Sequence, residues 1–186
     1  MRLHALLLPF LLALPFASAH ADEYAETVKL FRNANPSATL FGTSYGYAVF
    51  PTIGKGGAFL GAAHGSGRVY VKGRHVGDTS LTQLSVGPQL GGQAYSQIIF
   101  FENKRAFDEF ASGSFEFGAN ASAVAITAAA SAEAGTGGAG VGASGTPSHA
   151  RTASHYHGGT AVFTIAKGGL MAGATLAGQK FSYRAK

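Results

Sequence analysis

The chain has 186 residues, of which 27 are Gly, 46% are hydrophobic and 12% are charged, and it contains neither Cys nor Trp. That length suits one compact domain, the apolar share excludes a disordered chain, and the missing thiols exclude disulfides, thiolate metal sites, Fe–S clusters, a Cys nucleophile and a lipid-modified Cys. A formal charge of +5 without a long basic stripe gives no case for nucleic acid as a partner.

Arg2 is followed by the apolar run from Leu6 to Phe16 and then by Ala17-Ser18-Ala19-His20-Ala21. Eleven apolar residues with two prolines are too few to cross a hydrocarbon core about 30 Å thick, but they suit the hydrophobic region of a secretory leader. The pattern predicts a signal peptide over 1–21, cut after Ala21, although Ala17-Ser18-Ala19 offers the same small-residue spacing two residues earlier. Removing Arg2 leaves +4 on residues 22–186. The expected location is the periplasm or outer membrane, or outside the cell.

From Asp22 to Asn33 the acidic residues come first (Asp22, Glu23, Glu26) and Lys29 and Arg32 come last, as a helix dipole favours. Tyr24, Val28 and Phe31 fall at i, i+4 and i+7 and predict one apolar stripe, with Asn33-Ala34-Asn35-Pro36 as the stop. After that the period changes to two. Tyr45–Ile53 predicts a strand with Tyr45, Tyr47, Val49 and Ile53 on one face. Further strands are expected at Ala58–Ala63, Arg68–Lys72, Leu81–Val86 and Tyr95–Phe101, with Lys72-Gly73-Arg74 as a hairpin turn.

Asn103–Phe110 predicts a short helix that buries Phe107, Phe110 and Ala111, with Gly113 as its C-terminal cap. Over Phe115–Ala132 the alanines favour helix, but the strict alternation that starts at Phe115 and Phe117 favours a strand, which is the reading adopted. Residues 135–159 are almost all Gly, Ala, Ser and Thr, too little side chain to offset ordering entropy, and predict a mobile loop.

The last segment repeats an earlier one. Ala48-Val49-Phe50-Pro51-Thr52-Ile53-Gly54-Lys55-Gly56-Gly57 corresponds to Ala161-Val162-Phe163-Thr164-Ile165-Ala166-Lys167-Gly168-Gly169, apart from one inserted proline and a Gly/Ala exchange. Each copy predicts a strand, a Lys-Gly-Gly turn and a second strand. The fold expected is α+β: an antiparallel β-rich single domain over 22–186, its sheet curled toward a barrel, with the N-terminal helix and one short internal helix.

No catalytic pattern survives its context. Gly42-Thr43-Ser44-Tyr45-Gly46 spells G-x-S-x-G, but a nucleophile elbow needs a strand before it and a helix after it, the reverse of the order here. Gly135-Thr136-Gly137-Gly138-Ala139-Gly140 spells G-x-G-x-x-G inside a Gly/Ala tract, where composition explains it. His149, His155 and His157 have no neighbouring carboxylate or thiol and read as loop histidines, so no metal and no cofactor is expected. A non-enzymatic role follows.

Three segments in order, AVFPTIGKGGAFLGAAHGSGRVYVKG, SLTQLSVGPQLGGQAYSQIIFFENKRAFDEF and AVFTIAKGGLMAGATLAGQKFSY, resemble the SYLF domain in an exported bacterial form. The resemblance implies a lipid-binding module, since eukaryotic members bind phosphoinositide membranes and fungal members also bind and bundle actin. On that basis the expected function is binding of anionic, phosphoinositide-like phospholipid head groups at a membrane surface.

The residues themselves suggest where. Lys55-Gly56-Gly57 and Lys167-Gly168-Gly169 sit in equivalent turns where missing side chains let backbone amides approach an anion. Arg68, Lys72 and Arg74 form a second basic cluster, and Tyr24, Val28 and Phe31 are the side chains that could enter the bilayer interface. Plainer roles compete: a lysine that keeps a turn soluble, and a helix that packs on its own sheet. The alternative function is an envelope or surface structural protein that engages a protein partner.

Overall fold

The computed structural model describes residues 18–57, 60–86, 91–118, 121, 123–126, 156–167, 176 and 178–186. Helices α1 (Ser18–Asn33), α2 (Asn35–Ala38) and α3 (Leu40–Thr43) lead into four long strands, β1 (Gly46–Gly57), β2 (Leu60–Val71), β3 (Arg74–Val86) and β4 (Gly91–Phe101). Helix α4 (Lys104–Ala111), a short β5 (Val124–Ile126), β6 (Thr160–Ala166) and β7 (Gln179–Ala185) complete the order. The domain is α+β and β-rich, as expected.

The strands form one sheet in the order β5-β6-β4-β1-β2-β3-β7. All pairings are antiparallel except β5 with β6, which is parallel. The sheet is curled but does not close into a barrel. Across its concave side the buried Gln97 Nε2 of β4 donates to Gln179 Oε1 of β7 at 3.0 Å, although β1, β2 and β3 separate those strands in the ladder order. Phe110 of α4 packs its ring 4.9 Å from Phe101 on β4 and 5.2 Å from Phe181 on β7, so α4 plugs the open side.

Two apolar clusters follow from the period-two alternation. The concave cluster includes Ala48, Phe50, Ile53, Val69, Leu81, Ile99, Phe101, Phe110 and Phe181, and the convex cluster joins Tyr47, Val49, Ile98, Phe100, Phe163 and Ile165 to Phe31 and Leu40 from the helices. Small residues let the curl tighten. A Cβ built on Gly67 would lie 2.6 Å from the ring of Phe50, so only glycine fits beneath that ring.

The face expected for Ile53 needs correction. β1 pairs Phe50 with Gln97 but Ile53 with Tyr95, so it carries one residue more than β4 over this stretch. That bulge moves Ile53 to the concave side with Ala48 and Phe50, away from Tyr47 and Val49. Pro51 lies in it, lacks an N–H to contribute to a ladder, and accepts a 2.7 Å bond on its carbonyl from the buried Ser96 hydroxyl.

Other expectations resolve locally. The strands expected at Ala58–Ala63 and Arg68–Lys72 merge into one continuous β2 over Leu60–Val71, because the glycines between them are ladder residues, while Ala58 and Phe59 lie outside the described residues. Lys72 (φ 50°) and Gly73 (φ 76°) form the two-residue turn with both φ positive, the geometry that matches strand twist. Asn103 caps α4 by accepting from Ala106 N–H at 3.1 Å, and Gly113 follows at φ 78°.

The strand expected over Phe115–Ala132 is interrupted among the described residues: Glu116 makes a single bridge to Lys180, and β5 is the only ladder. The alternation chose a face, since Phe115 and Phe117 turn toward Phe181, but alternation does not supply a partner strand. Most of the loop expected at 135–159 lies outside the described residues. Its last four form a tight turn, with His157 paired to Thr160 and Gly158 and Gly159 at positive φ.

The concave interior is polar at one end. Gln179 Nε2 donates to Tyr95 Oη at 3.3 Å and Tyr95 is 2% exposed, and burial pushes its phenol up to about 12 while the Gln179 bond pulls it slightly back. The unfolded chain ionises near 10. Above that pH the unfolded state binds fewer protons than the folded one, so this contribution is fully present below pH 10 and is lost as pH rises through 12. In Tyr95→Phe the thermal midpoint should therefore fall less steeply between pH 10 and 12 than in the parent. Parallel slopes would contradict that assignment.

Candidate functional site

The two lysines of the repeat come to the same end of the sheet. Lys55 pairs with Gln93 on one side of β4, and the Lys167 N–H donates 2.8 Å to the Ala94 carbonyl on the other side. Two strand spacings separate them, about 10 Å. They nevertheless point to opposite faces. Lys55 pairs with Ala63 of the concave cluster, whereas Lys167 follows Ala166, whose partner is the concave Tyr95, and so it turns to the convex side.

The cause is an offset of one residue between the copies. Ile98 of β4 faces Val49 on one side and Phe163 on the other, yet Val49 corresponds to Val162 in the repeat. Equivalent residues therefore alternate out of phase.

The expected Lys-Gly-Gly turn is not formed in the first copy. Lys55, Gly56 and Gly57 are strand residues, paired with Ala63, Ala62 and Gly61 on one side and Gln93, Gly92 and Gly91 on the other. Ladders on both sides commit their backbone donors, because a central strand spends its amides on its neighbours. Gly168 and Gly169 lie outside the described residues.

Lys167 is already engaged. Its ammonium lies 2.8 Å from Thr52 Oγ1 and 3.4 Å from Glu23 Oε1, and the Thr52 hydroxyl donates to that same carboxylate oxygen at 2.8 Å. This half-exposed pair ties α1 to the sheet and contributes at most about 1 kcal/mol.

The stripe expected to meet a bilayer is turned inward instead. Phe31 is 0% exposed in the convex cluster, and Tyr24 and Val28 pack against it. The reason is the supply of partners: Tyr47, Val49, Phe100, Phe163 and Ile165 present an apolar convex face that α1 covers.

The second basic cluster gains members from the other end of the sequence. β7 runs beside β3 with Asp78 opposite Arg184 and Gly77 opposite Ala185, which carries Arg184 and Lys186 to the end where Lys72 and Arg74 turn. Arg68, Lys72, Arg74, Arg184 and Lys186 thus collect at one end of β2, β3 and β7 with Asp78 as the carboxylate among them. That end is about 26 Å along β2 from Lys55, eight residues of strand.

The cluster is ordered by side-chain contacts. The Arg68 guanidinium lies over the Tyr24 ring, 4.2 Å from its centroid. Asp78 accepts from His75 Nε2 at 3.0 Å and lies 3.9 Å from Arg184 Nη2. Burial raises the Tyr24 phenol above its ordinary value, and the nearby Arg68 charge opposes that rise.

Sequence reading missed Arg184 and Lys186, and it also missed a row of hydroxyls. Ser66-Gly67-Arg68, Asp78-Thr79-Ser80 and Ser182-Tyr183-Arg184 each place a serine and a charge two residues apart. Antiparallel pairing stacks them into a serine row, Ser66 with Ser80 with Ser182, beside a charged row, Arg68 with Asp78 with Arg184. The spacing was a usable signal, but only the pairing reveals the rows.

The expected absence of a serine elbow rests on the order of elements, and the structure has that order: Gly42 and Thr43 end α3, and β1 follows. Among the described residues no helix is long and apolar enough to cross a membrane.

Comparison with known proteins narrows the identity. Residues 82–186, more than half of the chain, match the family model Ysc84, described as Las17-binding protein actin regulator. That stretch contains the third of the three motifs and all but the first two residues of the second, and it begins beyond the first. Beta cell expansion factor A of Aeromonas veronii is 32% identical over 157 residues, which cover 83% of this chain and 51% of that protein. The chain thus spans about half the length of that curated relative. With the family match extending from β3 to the end of β7, the chain belongs to the Ysc84 family, whose domain is the SYLF domain.

Proposed function

We propose that this chain binds the head groups of anionic phospholipids at a membrane surface, without catalysing a reaction, through the basic end of β2, β3 and β7. The observation that carries this reading is the collection of Arg68, Lys72, Arg74, Arg184 and Lys186 around Asp78, with all five basic side chains but Arg68 exposed. Each basic residue near an anionic leaflet contributes about 1 kcal/mol, so the cluster supplies roughly 4–5 kcal/mol and a dissociation constant near the millimolar range. Binding of that strength is reversible and weakens with salt.

Lys55 stands apart at the far end and Lys167 is held by Glu23, so neither leads this reading. The leader read at 1–21 puts the surface on an envelope membrane, or on another cell after secretion.

A second reading, engagement of a protein partner, draws on the family description, which names Las17 binding and actin regulation. Co-sedimentation separates the two. Protein that pellets with vesicles of phosphatidylcholine and phosphatidylglycerol but not with phosphatidylcholine alone, and is released by salt, supports the lipid reading. Protein that ignores both vesicles favours the partner.

A further inference from the structure

We propose that the cleft between α1 and β7 is a binding site for a hydroxylated anion, namely a sugar ring that carries a carboxylate or a phosphate. The cleft is an open one of about 550 Å³, within the volume range of small-ligand sites, and its walls include Tyr24, Arg68, Asp78, Ser80, Ser182 and Arg184. Because Arg68 and Arg184 also belong to the basic end, the inference deepens the head-group reading and rests on it for the anionic part of the ligand.

Arg68 is the preformed anion anchor. Its guanidinium carbon lies over the Tyr24 ring, 4.2 Å from the centroid, and no carboxylate among the described residues pairs with it. A guanidinium keeps its N–H donors in one plane, the fork that meets a carboxylate or phosphate with two parallel bonds, and the ring contact limits the positions it samples. Arg184, 84% exposed, stands on the other side of Asp78 and can close over the same group.

The neighbouring row suits hydroxyls rather than a bare ion. Ser66, Ser80 and Ser182 lie two residues along their strands from the charged row, about 6.7 Å, a spacing that one pyranose ring and its exocyclic anion bridge. Ser80 and Ser182 share a 2.7 Å bond that leaves further donor and acceptor capacity on both oxygens. Asp78 repels a bare phosphate but accepts from sugar hydroxyls. A ligand with both parts matches both rows.

The test is a titration of the purified protein, followed by amide NMR, with glucuronate, glucose 6-phosphate, glucose and inorganic phosphate at equal ionic strength. Both sugar anions should bind at least about tenfold tighter than glucose or phosphate, with shifts at 66–68, 78–80 and 182–184. Ser80→Val/Ser182→Val keeps every charge and suits a strand. It should lose that preference yet still pellet with phosphatidylglycerol vesicles, whereas Arg68→Gln should lose the sugar anions.

Vesicles that carry a phosphorylated glucosamine glycolipid settle the source: competition with the free sugar marks a glycolipid head group, and lack of competition marks a soluble saccharide. Sugar anions that bind no tighter than phosphate, or that bind the serine variant as they bind the parent, overturn the proposal. Sugar binding without any vesicle binding would overturn the head-group reading alone.

Discussion

Replacing Phe181 with Ala should lower stability by about 3–5 kcal/mol, a large part of the 5–15 kcal/mol that holds an ordinary domain together. Phe181 is 2% exposed, and four rings surround it: Phe110 at 5.2 Å, Phe117 at 5.5 Å, Phe50 at 5.7 Å and Phe115 at 6.0 Å. These neighbours come from α4, from the segment after α4 and from β1, so the ring is where the edge strand, the plug and the sheet centre meet. Each belongs to an element anchored elsewhere, so the cavity can collapse only in part. The thermal midpoint should fall by roughly 6–20 °C, given about 2–4 °C per kcal/mol in a domain of this size.

Leu84→Ala is the control. That side chain is 83% exposed on the convex face of β3, and its loss should change stability by no more than about 0.5 kcal/mol. A Phe181→Ala protein that melts within 2 °C or so of the parent would mean that the aromatic plug does not close the curled sheet.

Neutralising Lys72, Arg74, Arg184 and Lys186 together as glutamines should abolish sedimentation with phosphatidylglycerol vesicles. At about 1 kcal/mol per basic residue the four account for roughly 4 kcal/mol, close to a thousandfold in affinity. All four side chains are exposed, so the thermal midpoint should stay near that of the parent. Arg68 is left in place because its contact with Tyr24 also positions α1.

The Lys55→Ala/Lys167→Ala pair should have the smaller effect, since one lysine points to the concave side and the other is paired with Glu23. If the quadruple variant pellets like the parent while the lysine pair does not, the head-group surface lies at the opposite end of the sheet.

What the amino-acid sequence determined by itself is local. Strand patterning marked β1, β4, β6, two pieces of β2 and the second half of β3, the Lys72-Gly73 pair marked a hairpin, and Gly113 marked the end of α4, because turn and cap chemistry act over a few residues. The repeat was legible for the same reason.

Face and neighbourhood were not legible. Whether Lys55 and Lys167 share a face depends on a one-residue offset across β4, and a single step of register reverses every side chain. Whether Tyr24, Val28 and Phe31 meet lipid or protein depends on an apolar convex face assembled from β1, β4 and β6. Arg184 joins Arg68 only because β7 returns to β3 across about a hundred residues of chain, a pairing that side-chain periodicity does not encode. Composition and period choose the elements, while the long-range ladders decide which charges stand together, because each ladder is set by burial summed over the whole sheet.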